Sequence, residues 1–124
     1  MTTEQDIITR VWLHLNAQGK QAMGMDACQY RTSDGLACAV GCLLDDATAA
    51  AFDKQDLTAI DDIAADDIDV IPADLRPHVA FLAVLQVAHD NTYSGYSRTW
   101  LENWRLAMRG FASARGLTLP EVAT

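Results

Sequence analysis

Three thiols and a His-Asp dipeptide are the residues in this chain whose types and spacing come nearest to covalent chemistry. Cys28, Cys38 and Cys42 fall within fifteen residues, and His89-Asp90 stands further along. A thiol attacks as its thiolate, which an adjacent base or a helix N-terminus favours by lowering the thiol pKa. Cys38 or Cys42 with His89, oriented by Asp90, would make a dyad for a thiol-dependent hydrolase or transferase. Neighbouring residues rarely reach that orienting geometry, and a buried cysteine behaves as a small hydrophobe. The structural role is therefore the favoured reading of the thiols.

Metal chemistry fares no better. Cys28, Cys38 and Cys42 with one of His14, His78 or His89 would form a three-sulfur, one-nitrogen set, but zinc knuckles use closely paired ligands and no Cys-x-x-Cys occurs. An adjacent His and Asp occurs in metal phosphohydrolases together with further His and Asp ligands. His78, eleven residues before His89, does not match the usual separation. His89 reads more simply as a helix-end residue whose cationic form suits the C-terminal dipole. Asp61-Asp62 and Asp66-Asp67-x-Asp69 lack the alternation, central Gly and terminal Glu of a calcium loop. Gly-rich phosphate loops, Gly-x-Ser-x-Gly and His-Glu-x-x-His are also missing. No metal or cofactor is expected, and without a complete catalytic set the reading leans away from an enzyme.

Charge is more informative than reactivity. The chain carries −8 overall, with ten Asp against Lys54 between residues 45 and 74, and four Arg against Glu102 between residues 98 and 115. Affinity for nucleic acid comes largely from Lys and Arg displacing counterions, so direct DNA or RNA binding is not expected. An acidic surface suits a basic protein partner, and Asp61, Asp62, Asp66 and Asp67 are its candidate contacts; a solvated face that maintains solubility is the plainer role. Tyr93, Tyr96 and Arg98 form a second candidate surface, close in sequence to Trp100, Trp104 and Arg105. Tyr, Trp and Arg mixtures are enriched at binding hot spots and also suit a ligand that stacks on a ring while an Arg meets its anionic group.

These residues need elements to position them. Thr3 with Asp6 resembles a helix cap, and Ile7, Ile8, Val11, Trp12 and Leu15 recur at helical spacing, which predicts a helix over residues 4–18 that Gly19 ends. The segment CQYRTSDGLACAVGCLL, residues 28–44, places two β-compatible runs around Asp34-Gly35 and predicts a β-hairpin at about residues 27–41. Asp45 or Asp46 caps a short helix through 47–52, a second is expected over 56–65, and 68–71 reads as a linker. A strongly apolar helix follows over 77–90, then a polar loop and a last helix capped by Ser97 or Thr99 and ended by Gly116. The expected fold is α+β and mainly helical: three to five helices with one hairpin, in a single domain spanning residues 1–124.

The motif Tyr30-Arg31, Asp34-Gly35-Leu36-x-Cys38-Ala39-Val40-Gly41-x-Leu43, with Leu85-Gln86-x-x-His89-Asp90 and Trp100 downstream, resembles a family of small hypothetical proteins from bacteriophages and proteobacterial genomes. The resemblance implies a mobile-element or accessory context. It brings no assigned activity and no catalytic residues.

Half the residues are apolar, but no run approaches the roughly 20 needed to cross a bilayer, and the first ten residues do not read as a signal peptide. Three cysteines without paired spacing favour a reducing compartment, so a cytoplasmic location is expected. The functional expectation is a small acidic accessory protein that inhibits or sequesters a protein partner or a small ligand, without nucleic acid or membrane binding and with a homo-oligomer left open. The thiol-dependent enzyme is the alternative.

Overall fold

The computed structural model describes residues 2–22, 30–32, 35–53, 60–92 and 98–122, and for Asp66 the backbone alone. Among them are five α-helices: α1 (Glu4–Gln18), α2 (Asp46–Asp53), α3 (Ile60–Asp66), α4 (Val79–Asn91) and α5 (Trp100–Ala114). Short 3-10 turns occupy Gly41–Leu43, Ile68–Val70 and Arg76–His78.

The caps follow from local chemistry. Thr3 accepts from the Asp6 amide while Asp6 accepts from the Thr3 amide, a reciprocal box that satisfies two donors the helix leaves open. Gly19 closes α1 with φ +78°, a left-handed conformation that glycine adopts without steric cost. Asp45 accepts from the Thr48 amide at 2.7 Å ahead of α2. Thr99 accepts from the Glu102 amide at 3.2 Å and starts α5.

The expected β-hairpin is corrected by the structure. No β-strand forms among the described residues, and one isolated antiparallel bridge, Arg31 to Ala37, stands where a ladder was expected. Two backbone bonds join the segments, from the Thr32 N–H to the Leu36 carbonyl at 2.9 Å and from the Cys38 N–H to the Tyr30 carbonyl at 3.2 Å, and side chains take the neighbouring backbone groups. The Gln18 amide donates to the Ala37 carbonyl at 2.9 Å and accepts from the Ala37 N–H at 2.9 Å. Both carboxylate oxygens of Asp53 accept, from the Tyr30 and Arg31 amides. The Val40 N–H donates to Gln86. Beyond Cys38 the chain coils, with Cys42 N–H donating to the Cys38 carbonyl at 3.0 Å, so the second strand becomes a helical turn. Gly41 is required there because a Cβ on it would sit 1.9 Å from the Tyr30 carbonyl oxygen. The fold is therefore helical where an α+β domain was expected.

One core joins the elements. Ile7, Ile8, Val11, Trp12 and Leu15 of α1 are buried together with Phe52, Ile60, Ile63, Leu82, Leu85 and Met108. All three tryptophans stack in one column: Trp12 on Trp104 with centroids 5.3 Å apart, and Trp104 on Trp100 at 5.6 Å. Offset aromatic contacts of this kind add about 0.5–1.5 kcal/mol each beyond their buried area. Helix α4 packs against α3 and α5 yet leaves Val84 and Val87 exposed, so its apolar sequence is only partly used by the core. After Gly116 the chain turns back: Gln5 pairs with both backbone groups of Thr118, and the Trp12 indole N–H donates to the Pro120 carbonyl at 2.7 Å. Residues 117–122 thus form a strap along α1. No helix among the described residues is long and apolar enough to cross a membrane.

Candidate functional site

Of the described thiols, Cys38 is built into the interior and Cys42 packs half-buried against it. Cys38 is fully buried and its sulfur accepts from the Gly41 amide; Cys42 donates to the Ala39 carbonyl at 3.2 Å. Burial, by disfavouring the thiolate, pushes the Cys42 pKa up to about 12 and that of Cys38 higher still. Cys28 lies outside the described residues.

His89 is equally enclosed. Its Nε2 accepts from the Ala22 N–H at 3.1 Å, which requires an unprotonated nitrogen there. Nδ1 therefore carries the proton and donates to Asp90 Oδ1 at 2.7 Å. The same oxygen accepts from Gln86 Nε2 at 2.7 Å, and Gln86 Oε1 accepts from the Val40 N–H at 3.2 Å. Gln21 and the Trp100 indole both donate to the His89 carbonyl, and the His89 ring stands edge-on to Trp100. This network ties three stretches, residues 21–22, Val40 and Trp100, to the end of α4. With both ring nitrogens occupied, His89 serves as a strut and presents no lone pair to a thiol. Several residues of the quoted motif, Val40, Gln86, His89, Asp90 and Trp100, converge here. Gln21 is the member that sequence reasoning missed, and Gln86 was quoted in the motif without a role, since a single buried glutamine carries no periodic signal.

The remaining histidines are elsewhere: His14 bonds Gln18 and His78 bonds the Thr2 carbonyl. Among the described residues no three His, Cys, Asp or Glu side chains gather in a way that could hold a metal ion.

The candidate binding residues fall on separate parts of the surface. Asp61 and Asp62 are exposed on α3, and Asp67 is exposed beyond it, capping the following turn through the Asp69 amide. The Asp66 side chain, Tyr93 and Tyr96 lie outside what is described. Arg98 is exposed just before α5.

Arg98 also borders a feature not expected from sequence. Two adjoining concavities, of about 240 and 300 Å³, share Arg105 and Arg109 of α5. The first is walled by Trp12 and strap residues 119–122, the second by Arg98, Glu102 and Leu106. Arg105 donates through Nε to Asn16 Oδ1, and the Arg109 guanidinium lies over the Trp12 ring at 5.8 Å. Among the described residues neither Arg98 nor Arg109 forms an ion pair; Arg31 pairs with Asp46 and Arg115 with Glu4. Arg105 and Arg109 stand four residues apart in the arginine-rich stretch between residues 98 and 115. Their joining to Trp12 was not visible there, because it depends on the fold-back of the strap.

No protein-family model matches the chain, and searches of curated proteins and of solved structures returned no match.

Proposed function

We propose that this chain acts by binding, as a small acidic accessory protein that inhibits or sequesters a protein partner or a small ligand, in keeping with the mobile-element context implied by its sequence motif. The observation that carries the reading is the partition of its side chains. Of the groups suited to covalent chemistry, Cys38 and His89 are buried and Cys42 is half-buried, all three hydrogen-bonded inward, whereas Asp61, Asp62, Asp67, Arg98 and Arg109 stand in solvent. Exposed charge governs encounter rate and partner choice, while a sealed thiol offers a substrate no approach.

The test uses a partner recovered by affinity capture and then purified. Neutralising Asp61, Asp62, Asp66 and Asp67 to Asn is expected to slow association and flatten its salt dependence if the acidic face engages it, since such charges act by steering. Replacing Tyr93, Tyr96 and Arg98 with Ala is expected to raise the dissociation rate if that surface makes the contact. Binding unchanged in both variants rejects these two surfaces. A turnover that vanishes in Cys38→Ala or Cys42→Ala while the protein remains folded overturns the binding reading itself.

A further inference from the structure

The geometry points to the arginine-lined groove beside α5 as the docking site for an acidic, partly apolar segment of a partner protein; this rests on the binding reading above and names its site and the chemistry of its occupant. Arg105 and Arg109 are one helical turn apart, about 6 Å along the axis. Two carboxylates on successive turns of a helix, or on alternate residues of an extended strand at about 7 Å, match that spacing. A guanidinium presents a planar fork to a carboxylate and can engage it through two parallel hydrogen bonds.

The arginines are also held in advance. Asn16 fixes the stem of Arg105 and the Trp12 ring supports Arg109, so less side-chain freedom is lost on binding than for two unsupported arginines. Apolar surface adjoins the charge: Leu106 is 48% exposed, and Pro120 and Val122 are half-buried. Arg98 extends the cationic line beyond the helix. Glu102 is engaged with Thr99 in the first turn of α5, and Glu121 sits on the strap side.

Other anions fit less well. Single-stranded nucleic acid needs stacking platforms, but Trp12 is 2% exposed and lies beneath Arg109. Inorganic phosphate would leave Leu106, Pro120 and Val122 in water.

Random short peptides displayed on phage are selected against the immobilised full chain, and enriched sequences are then synthesised with a fluorescent label for anisotropy titration. The expected result is enrichment of peptides carrying at least two acidic residues beside an apolar one, with affinity that falls as salt rises and weakens roughly tenfold or more in Arg105→Gln with Arg109→Gln. Thermal melting accompanies the titration, and Arg98→Gln, which lies outside the helix and its Trp12 and Asn16 contacts, supplies a second reading with a smaller loss if the double variant fails to fold. Failure to enrich, enrichment of peptides without acids, or equal binding by the arginine variants overturns the inference. Displacement of the peptide by single-stranded DNA or inorganic phosphate at comparable concentration overturns the choice of a protein segment. A purified partner whose binding depends on the α3 acids and is indifferent to the groove arginines overturns this inference while leaving the binding reading in place.

Discussion

Replacing Gly41 with alanine tests the close approach of the chain at Gly41 to the Tyr30 backbone. The new Cβ would lie 1.9 Å from the Tyr30 carbonyl oxygen, against the 3.0 Å below which such contacts are essentially never found, so one backbone segment must retreat by about 1.1 Å. The obstacle is main chain and no rotamer change relieves it. Retreat of Tyr30 stretches the bond its carbonyl accepts from the Cys38 amide, 3.2 Å in the native chain, and disturbs the edge-on contact of its buried ring with Phe52 at 5.1 Å. A weakened buried hydrogen bond costs about 1 kcal/mol and overpacking a core about 1–3 kcal/mol, giving about 3 kcal/mol together. For a chain of this size the melting temperature should fall by about 10 °C. Gly110→Ala is the control, since Gly110 is exposed within α5 and a Cβ there meets nothing within 4 Å. It should stabilise by about 0.5–1 kcal/mol by removing glycine's conformational freedom from a helix interior. Both variants are compared by calorimetry and urea titration. A Gly41→Ala protein that melts with the wild type would refute the close approach.

Thiol reactivity gives an independent test. In a Cys28→Ser background at pH 7, Cys42, with its pKa near 12 against an ordinary 9.0, holds roughly a thousandfold less thiolate than an exposed cysteine. Native protein should therefore react with a disulfide reagent slower by about that factor than the same protein in urea, and a fast phase abolished by His89→Ala would contradict it. Because both folded thiols titrate above their unfolded value, their contribution to stability is fully present below pH 9 and declines as pH rises from 9 toward 12, which urea titrations at stepped pH would show. His89→Ala leaves a cavity, an unpaired Ala22 amide and an Asp90 that has lost a donor, for a loss of about 3–5 kcal/mol by urea unfolding. Near-wild-type stability in that variant would mean the imidazole is not the strut described.

The helices were legible where a single element carries its own instructions. Thr3 with Asp6, the apolar recurrence from Ile7 to Leu15 and Gly19 specify the first helix by local chemistry alone, and the observed ends coincide with the expected ones. The segment around Cys38 was not legible for the opposite reason. Its β-compatible residues and Gly35 carry a genuine turn signal, and one antiparallel bridge does form, but Gln18, Asp53 and Gln86 arrive from three distant helices to bond the backbone groups beside it. Side-chain amides and carboxylates with such roles leave no periodic trace. The groove followed the same logic: Arg105 and Arg109 could be read as a pair, whereas their neighbours at Trp12 and 119–122 are brought in by the closing of the chain.

That closing bears on how the protein folds and opens. Helical domains usually fold quickly because their contacts are local in sequence. Here Gln5 meets Thr118 across 113 residues, Glu4 meets Arg115 across 111, and Trp12 meets Pro120 across 108. The entropy of so long a loop must be lost before these contacts form, unless intervening helices have already drawn the ends together. Although Leu117, Leu119 and Val122 pack half-buried against the core, the strap is expected to dock last and to detach first, because its closing contacts span the longest loop. One wall of the arginine groove is made of that strap. Amide exchange at Thr118 should therefore run through a shallow local opening, whereas Val11 on the facing helix waits for global unfolding, and an occupant spanning both walls would slow exchange at the strap more than anywhere else.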